Sequence, residues 1–204
     1  MRVIKKYDVR LAEILDAAEE LFTKTGYEST TVNNILDKVG IGKGTFYHYF
    51  KSKDEVVNSV IDRVIQFIVS KADKAMEHQA ENANKRMQNV LRSLNIDENL
   101  HKPFLLSLGN PSNALLHQRF TLESIRFIAP ILAAVVKQGI NEGLYTTDYP
   151  LETMEILTAA NQIIFNGTIM HMSPEEQKTR GTAFLRVLES SLNAAKGSFD
   201  FLYN

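Results

Sequence analysis

The sequence predicts an all-α fold, and three observations predict it. Apolar residues recur at three- and four-residue spacing along most of the chain, the period of a helix with one buried face. No strongly alternating apolar and polar run of the kind a half-buried strand shows stands out. Prolines and glycines are few, 5 and 10 in 204 residues, and several stand where periodic segments end.

The elements follow in order. Leu11, Ile14, Ala18, Leu21 and Phe22 keep helical spacing, and Gly26 is the expected stop. Thr30 and Thr31 are both suited to cap a second helix, whose apolar face is Val32, Ile35, Leu36 and Val39 and which Gly40 ends. After the link Gly40-Ile41-Gly42 a short third helix is expected from Lys43 to about Phe50. Ser52 and Asp54 mark a fourth, apolar through Val56, Val57, Val60, Ile61, Val64, Ile65 and Ile68 and fading near Gln79. Asn84 to Leu94 reads as helix, Asn95 to Asn99 as loop, and Phe104 to Leu108 as a short helix stopped by Gly109-Asn110-Pro111-Ser112. A long helix is expected from about Asn113 to Asn141, bent near Pro130 where a backbone donor is lost, and closed by Gly143. Asp148 and Pro150 open another, Leu151 to Met170. Ser173-Pro174-Glu175-Glu176 combines a serine cap, a first-turn proline and a glutamate three residues on, opening a last helix to about Lys196, with Gly197 as terminator.

Composition removes several function classes. With no cysteine, thiolate zinc sites, disulfide frameworks and cysteine nucleophiles are excluded. No segment approaches the roughly 18 consecutive apolar residues of a membrane span, and the N-terminus lacks the apolar core of a secretory signal, so a cytoplasmic protein is expected. The five histidines (His48, His78, His101, His117 and His171) form no i, i+4 pair, and neither a metal site nor a cofactor is expected. A net charge of −1 argues against non-specific coating of nucleic acid. Residues 1–53 carry nine basic and seven acidic side chains, a bias of only +2.

The functional signal is local. Two short helices joined by a glycine-containing turn match a helix-turn-helix, whose second helix enters the major groove with its N-terminal residues at base edges. Here those residues are Gly42, Lys43, Gly44 and Thr45. Lys43 has the reach for guanine acceptors or phosphate, and Thr45 for a phosphate or a thymine methyl. In Phe46-Tyr47-His48-Tyr49-Phe50, the i, i+4 pair Phe46 and Phe50 plugs the helix into a core. Tyr47 and His48 lie elsewhere on the circumference, with donors for phosphates or bases. Lys53 adds a mobile cation at the next helix start, and Thr30 and Thr31 a second helix start suited to phosphate. Gly40 to Thr45 is not a nucleotide-binding loop: Asp37 stands where its first glycine belongs, and Gly44 follows Lys43.

The run from Ile14 to about Val57 resembles the DNA-binding domain of the TetR (tetracycline repressor) family. The matching features are Ala17-Ala18 through Leu21-Phe22, Gly26-Tyr27, Thr31-Val32 to Ile35, Gly40, the block Lys43 to Phe50, and Lys51-Ser52-Lys53-Asp54. The departure is Gly42, where family members often carry serine; the turn is kept and a hydroxyl cap is lost. The resemblance implies an all-helical homodimer with a C-terminal effector pocket and a dimer interface on the last two long helices. It also implies a repressor that binds a palindromic double-stranded operator and is released by a small molecule.

The expected division is a DNA-binding domain over 1–53 and an effector-binding and dimerisation domain over 54–204. Phe104, Leu108, Asn113, His117, Phe120, Phe127, Asn161 and Phe165 are the expected pocket residues, as cavity wall or polar anchors on otherwise apolar helices. Ala159, Ala160, Gly167, Leu185, Leu188 and Leu192 are the expected dimer contacts, small and apolar residues that let helices pack closely. An all-helical enzyme needs converging acids, bases or metal ligands, and the sequence shows none. A protein-interaction module on the same scaffold would bind no DNA in a gel shift.

Overall fold

A computed structural model describes residues 7–77, 82–94, 100–165 and 172–202. These residues form nine α-helices: α1 Tyr7–Thr25, α2 Val32–Val39, α3 Lys43–Tyr49, α4 Lys53–Glu77, α5 Ala83–Ser93, α6 Lys102–Ser107, α7 Ala114–Asn141, α8 Pro150–Ile164 and α9 Pro174–Ser191. Single 3₁₀ turns stand at Pro111–Asn113 and Asp200–Leu202. Among the described residues there is no strand, as expected of an all-α chain.

Local chemistry sets most boundaries. Thr31 caps α2 in a reciprocal capping box with Asn34, and Gly40 closes it in the left-handed region at φ 72°. Ser52 accepts from the Glu55 amide at the start of α4, while the Glu55 carboxylate takes the Lys51 amide. Ser173 and Glu176 form the expected box at α9, with Pro174 in the first turn. α9 ends at Ser191, short of the expected Lys196. Asn193 turns left-handed at φ 46°, and the Ala194 amide folds back onto the Glu189 carbonyl. α7 runs unbroken through Pro130. The expected loop at 95–99 and the end of the expected 151–170 helix lie outside the described residues, as do His78 and His171.

The chain divides into two compact units, Met1–Val64 with Leu100–Phe120, and Ile65–Asn99 with Thr121–Asn204. The boundary expected after residue 53 falls inside the first unit, which takes the opening turns of α4, all of α6 and the start of α7. α4 and α7 each supply residues to both units.

The first unit is built around Ile14, Ala18 and Phe22 of α1, Ile35 of α2, Phe46 of α3, Val56, Val60 and Ile61 of α4, Phe104 of α6 and Leu116 of α7, all essentially without solvent contact. Each such large side chain contributes about 1.5–3 kcal/mol by leaving water. A polar clamp adds to this core. The Asn113 side chain accepts from the Tyr27 amide at 2.7 Å and donates to the carbonyls of Phe22 and Ser107 at 3.1 and 3.0 Å. Beside it Gly26, at φ 82°, lies so close to Ser112 that a Cβ would sit 2.1 Å from its Oγ. Only glycine fits there.

In the second unit Met87 and Val90 of α5, Val135 and Val136 of α7, Met154 of α8, Leu185 and Leu188 of α9, Leu192 and Phe199 form the core. Tyr145 covers Gly139, and its buried hydroxyl donates to Asn84 at 2.5 Å.

Candidate nucleic-acid interface

α3 has seven residues, too few to hold its shape alone. Phe46 and Phe50 anchor it, buried and in ring contact at 5.9 Å. At about 100° per residue the two anchors lie close together, and Lys43, Gly44, Tyr47 and His48 share one arc of roughly 140° that starts beside Phe50 and runs round to His48 on the far side. All four are exposed, Tyr47 at 55%. Tyr47 combines an aromatic face with a hydroxyl donor, and its neighbours on the arc are a cation and an imidazole, groups suited to phosphates and base edges. Gly42 precedes the helix with extended backbone and no side-chain cap, leaving the first amides of α3 without a side-chain partner from that position. Thr45 is half-buried in the first turn.

The charges are sorted more sharply than their count suggested. Lys24 and Lys38 both pair with Glu20, at 2.7 and 2.9 Å, and Arg10 pairs with Glu13. The hydrogen bond from Lys24, then that from Lys38, holds the Glu20 carboxyl down at about 2. Among the described residues Lys43 and Lys51 have no ion pair. Lys51 is exposed just past α3. It belongs to the block Lys51-Ser52-Lys53-Asp54 but is not among the expected DNA contacts, because a lysine between two helices carries no signal of its own.

Two expectations here are corrected. Thr30 is 1% exposed and donates its hydroxyl to the Gly26 carbonyl at 2.7 Å, so it offers nothing to phosphate; Thr31 alone is the cap, and its exposed hydroxyl is engaged with Asn34. Lys53 is not a mobile cation. Its ammonium donates to the carbonyls of Tyr27 and Thr30 at 2.7 and 2.8 Å and lies 3.9 Å above the Tyr27 ring, and burial pulls its pKa down. The Tyr27 hydroxyl donates to Asp54, which also accepts from Arg119 at 2.8 Å; the Arg119 bond, then that of Tyr27, lowers the Asp54 pKa. This network ties the α1–α2 connection to the starts of α4 and α7 and so fixes the platform that presents α3.

The expected pocket residues are divided between the two units. Phe104, Leu108, Asn113, His117 and Phe120 are buried in the first unit. Asn113 is fully used by the clamp, its hydrogen bonds going to backbone and Ser107. In the second unit Phe127 is half-buried beneath the Arg126 guanidinium, Asn161 is exposed, and Phe165 stands edge-on to Phe184. Phe165 alone of the set lines an open cleft of about 670 Å³, together with Met172, Gln177, Lys178 and Arg186. Two residues not singled out from the sequence are more informative: Thr121 Oγ1 and Ser124 Oγ, one turn apart on α7, are buried and have no hydrogen-bond partner among the described residues. Unpaired buried hydroxyls are costly and call for an explanation. A serine or threonine on an otherwise apolar helix gives no hint of this, because its hydroxyl usually bonds back to its own helix.

The expected dimer contacts are also revised. Leu185, Leu188 and Leu192 are buried within the single chain, because their side chains fill the second unit's core. Ala159 and Ala160 are half-buried, and Gly167 lies outside the described residues. The exposed apolar residues of these helices are Ile156 and Ile163 of α8 and Val187 of α9, at 68%, 44% and 54%. Ile156 and Ile163 are seven residues apart and share a face with Ala159 and Ala160. Ala183, Val187 and Ser191 form a matching stripe of exposed residues on α9.

An all-helical chain that presents a short, aromatic-anchored helix after a tight glycine turn defines the class of helix-turn-helix DNA-binding proteins. Residues 14–60 match the model of the tetR family of bacterial regulatory proteins, and residues 94–187 match a tetracyclin repressor-like C-terminal domain. The chain belongs to the TetR family of transcriptional regulators. Among its relatives, YfiR of Bacillus subtilis is 36% identical over 80 residues, a match spanning only 39% of either chain. YhgD of the same organism, an HTH-type transcriptional regulator, is 26% identical over 180 residues, 86% of this chain and 93% of YhgD. Among solved structures SmeT, the repressor of a Stenotrophomonas maltophilia multidrug efflux pump, aligns with a TM-score of 0.64 at 20% identity. That alignment covers 93% of this chain and 92% of SmeT, and it speaks to the fold.

Proposed function

We propose that two copies of this chain bind a roughly palindromic operator, repress transcription there, and are released when a small-molecule effector binds. The observation that carries the reading is the outward arc of α3: Lys43, Gly44, Tyr47 and His48 are exposed on a helix held in place by the buried Phe46 and Phe50. In a dimer the two arcs enter successive major grooves, about one helical turn apart. Ile156 and Ile163 one above the other on α8, with Val187 and Ala183 exposed on α9, support the dimer as apolar surface on the two helices.

Thr121 and Ser124 support an effector site in the second unit, where a polar group of the ligand would satisfy both hydroxyls. α4, whose residues belong to both units, is the element through which occupancy alters DNA affinity. The effector acts only through its differential affinity for the DNA-bound and free arrangements.

The test is a thermal-shift screen of metabolites and drugs, followed by operator release. A ligand that binds the native state raises the unfolding temperature. Such a compound is expected to weaken operator binding, and Ser124→Val is expected to abolish both effects. Compounds that stabilise the protein equally with and without Ser124, and leave DNA binding intact, contradict the effector reading.

A further inference from the structure

The first turn of α1 lies against the outer side of α3. The Tyr7 ring stacks on Tyr49 with centroids 4.6 Å apart and planes inclined by 28°, and it meets His48 edge-on at 6.0 Å. His48 and Tyr49 stand edge to face at 5.3 Å. The three rings form one cluster at the surface, with Tyr7 still 52% exposed.

Among the described residues, the ring contacts of His48 are with Tyr7 and Tyr49, and those of Tyr49 are with Tyr7 and His48. The anchors Phe46 and Phe50 grip α3 from the opposite side and do not orient the imidazole. Without Tyr7 the exposed His48 ring would keep only its contact with the half-buried Tyr49, and restricting the freedom it gains would cost affinity on binding. An aromatic edge has a strong preference of geometry, so a ring supplied from another helix sets the rotamer.

We infer that Tyr7 is a positioning residue for DNA recognition: from α1 it holds the His48 imidazole in the orientation it presents to the duplex. The inference rests on the reading of α3 as the DNA-facing helix. It assigns an operator-affinity role to a residue outside the helix-turn-helix, ahead of the matched segment 14–60.

The experiment uses the full chain and a duplex enriched by it from a random pool. Binding is measured by fluorescence anisotropy for the parent, Tyr7→Phe, Tyr7→Ala, His48→Ala and the Tyr7→Ala/His48→Ala double variant. Tyr7→Phe keeps the ring and is expected to bind as the parent does. Tyr7→Ala is expected to weaken binding about three- to tenfold, the effect of freeing one side chain that binding must then fix. The same substitution is expected to add nothing in the His48→Ala background, and to reproduce whatever base preference His48→Ala loses.

The inference is overturned if Tyr7→Ala binds as the parent, if it weakens binding equally in both backgrounds, or if His48→Ala has no effect. Should Tyr7→Ala unfold below the assay temperature, Tyr7→Leu keeps apolar bulk without the ring and is read against the same outcomes. A parent that enriches no sequence overturns the DNA-facing reading as well; an enriched duplex indifferent to Tyr7 overturns this inference alone.

Discussion

Gly44 sits inside a seven-residue helix, with open space where its Cβ would point. Alanine there would meet no protein atom and would favour the helix by roughly 0.5–1 kcal/mol. Glycine at this position leaves the backbone open to close approach, and in the proposed function it is the duplex that approaches it. Gly44→Ala is therefore expected to raise the thermal unfolding midpoint while weakening operator binding about tenfold, or ~1.4 kcal/mol. A variant that is both more stable and equally tight would contradict this. At this scale the sequence was informative about type and poor about direction. Phe46 and Phe50 declared themselves as anchors by their spacing. Thr30 and Thr31 looked alike as caps, yet one hydroxyl turns inward and one outward. Lys53 resembled a phosphate ligand until its two carbonyl partners, 23 and 26 residues away along the chain, were in view. Asn113 likewise meets groups 86 and 91 residues distant, which no local pattern reveals.

At the scale of elements, helix starts were readable because caps are local chemistry: Thr31, Ser52 and Ser173 act within three residues of themselves. Helix faces were harder. On α9 both an inner and an outer stripe are apolar, and periodicity alone does not say which is inside. Leu185, Leu188 and Leu192, expected at the dimer interface, fill the chain's own core, while Val187 on the other stripe is left exposed. The proposed dimer makes a prediction here. Ile156→Asp and Val187→Asp place a charge on residues exposed in the single chain, where substitutions usually change fold stability by less than about 0.5 kcal/mol. Light scattering is expected to show monomers with unchanged helical circular dichroism. Persisting dimers would remove these stripes from the interface.

Across the whole molecule, carboxylates tie elements together within each unit. In the first, burial raises the Glu19 pKa, but hydrogen bonds from His101 and Arg63 outweigh it and leave the group below its ordinary 4.5. Arg63 also reaches Asp16, so α4 grips α1 through both acids. In the second, burial raises Glu189, and Arg186 together with the Gly197 amide brings it down again. A carboxyl depressed in the folded state stabilises fully above its unfolded pKa, and that contribution is lost as pH falls through the folded value. Stability toward urea is thus expected to hold near neutrality and to fall below about pH 4.5. Arg63→Gln is expected to lose part of that acid sensitivity along with some neutral stability. A denaturation midpoint insensitive to pH between 6 and 3 would contradict the assignment.

The central claim is that the exposed arc of α3 reads duplex sequence, and fluorescence anisotropy on an enriched operator and its shuffled counterpart tests it most directly. The account predicts a specific affinity at least about 10³-fold tighter than the non-specific one at physiological salt. It also predicts that Tyr47→Ala and Lys43→Ala, in folded protein, erode that ratio or the affinity itself. Equal binding to operator and shuffled duplex, or full selectivity in both variants, would contradict it.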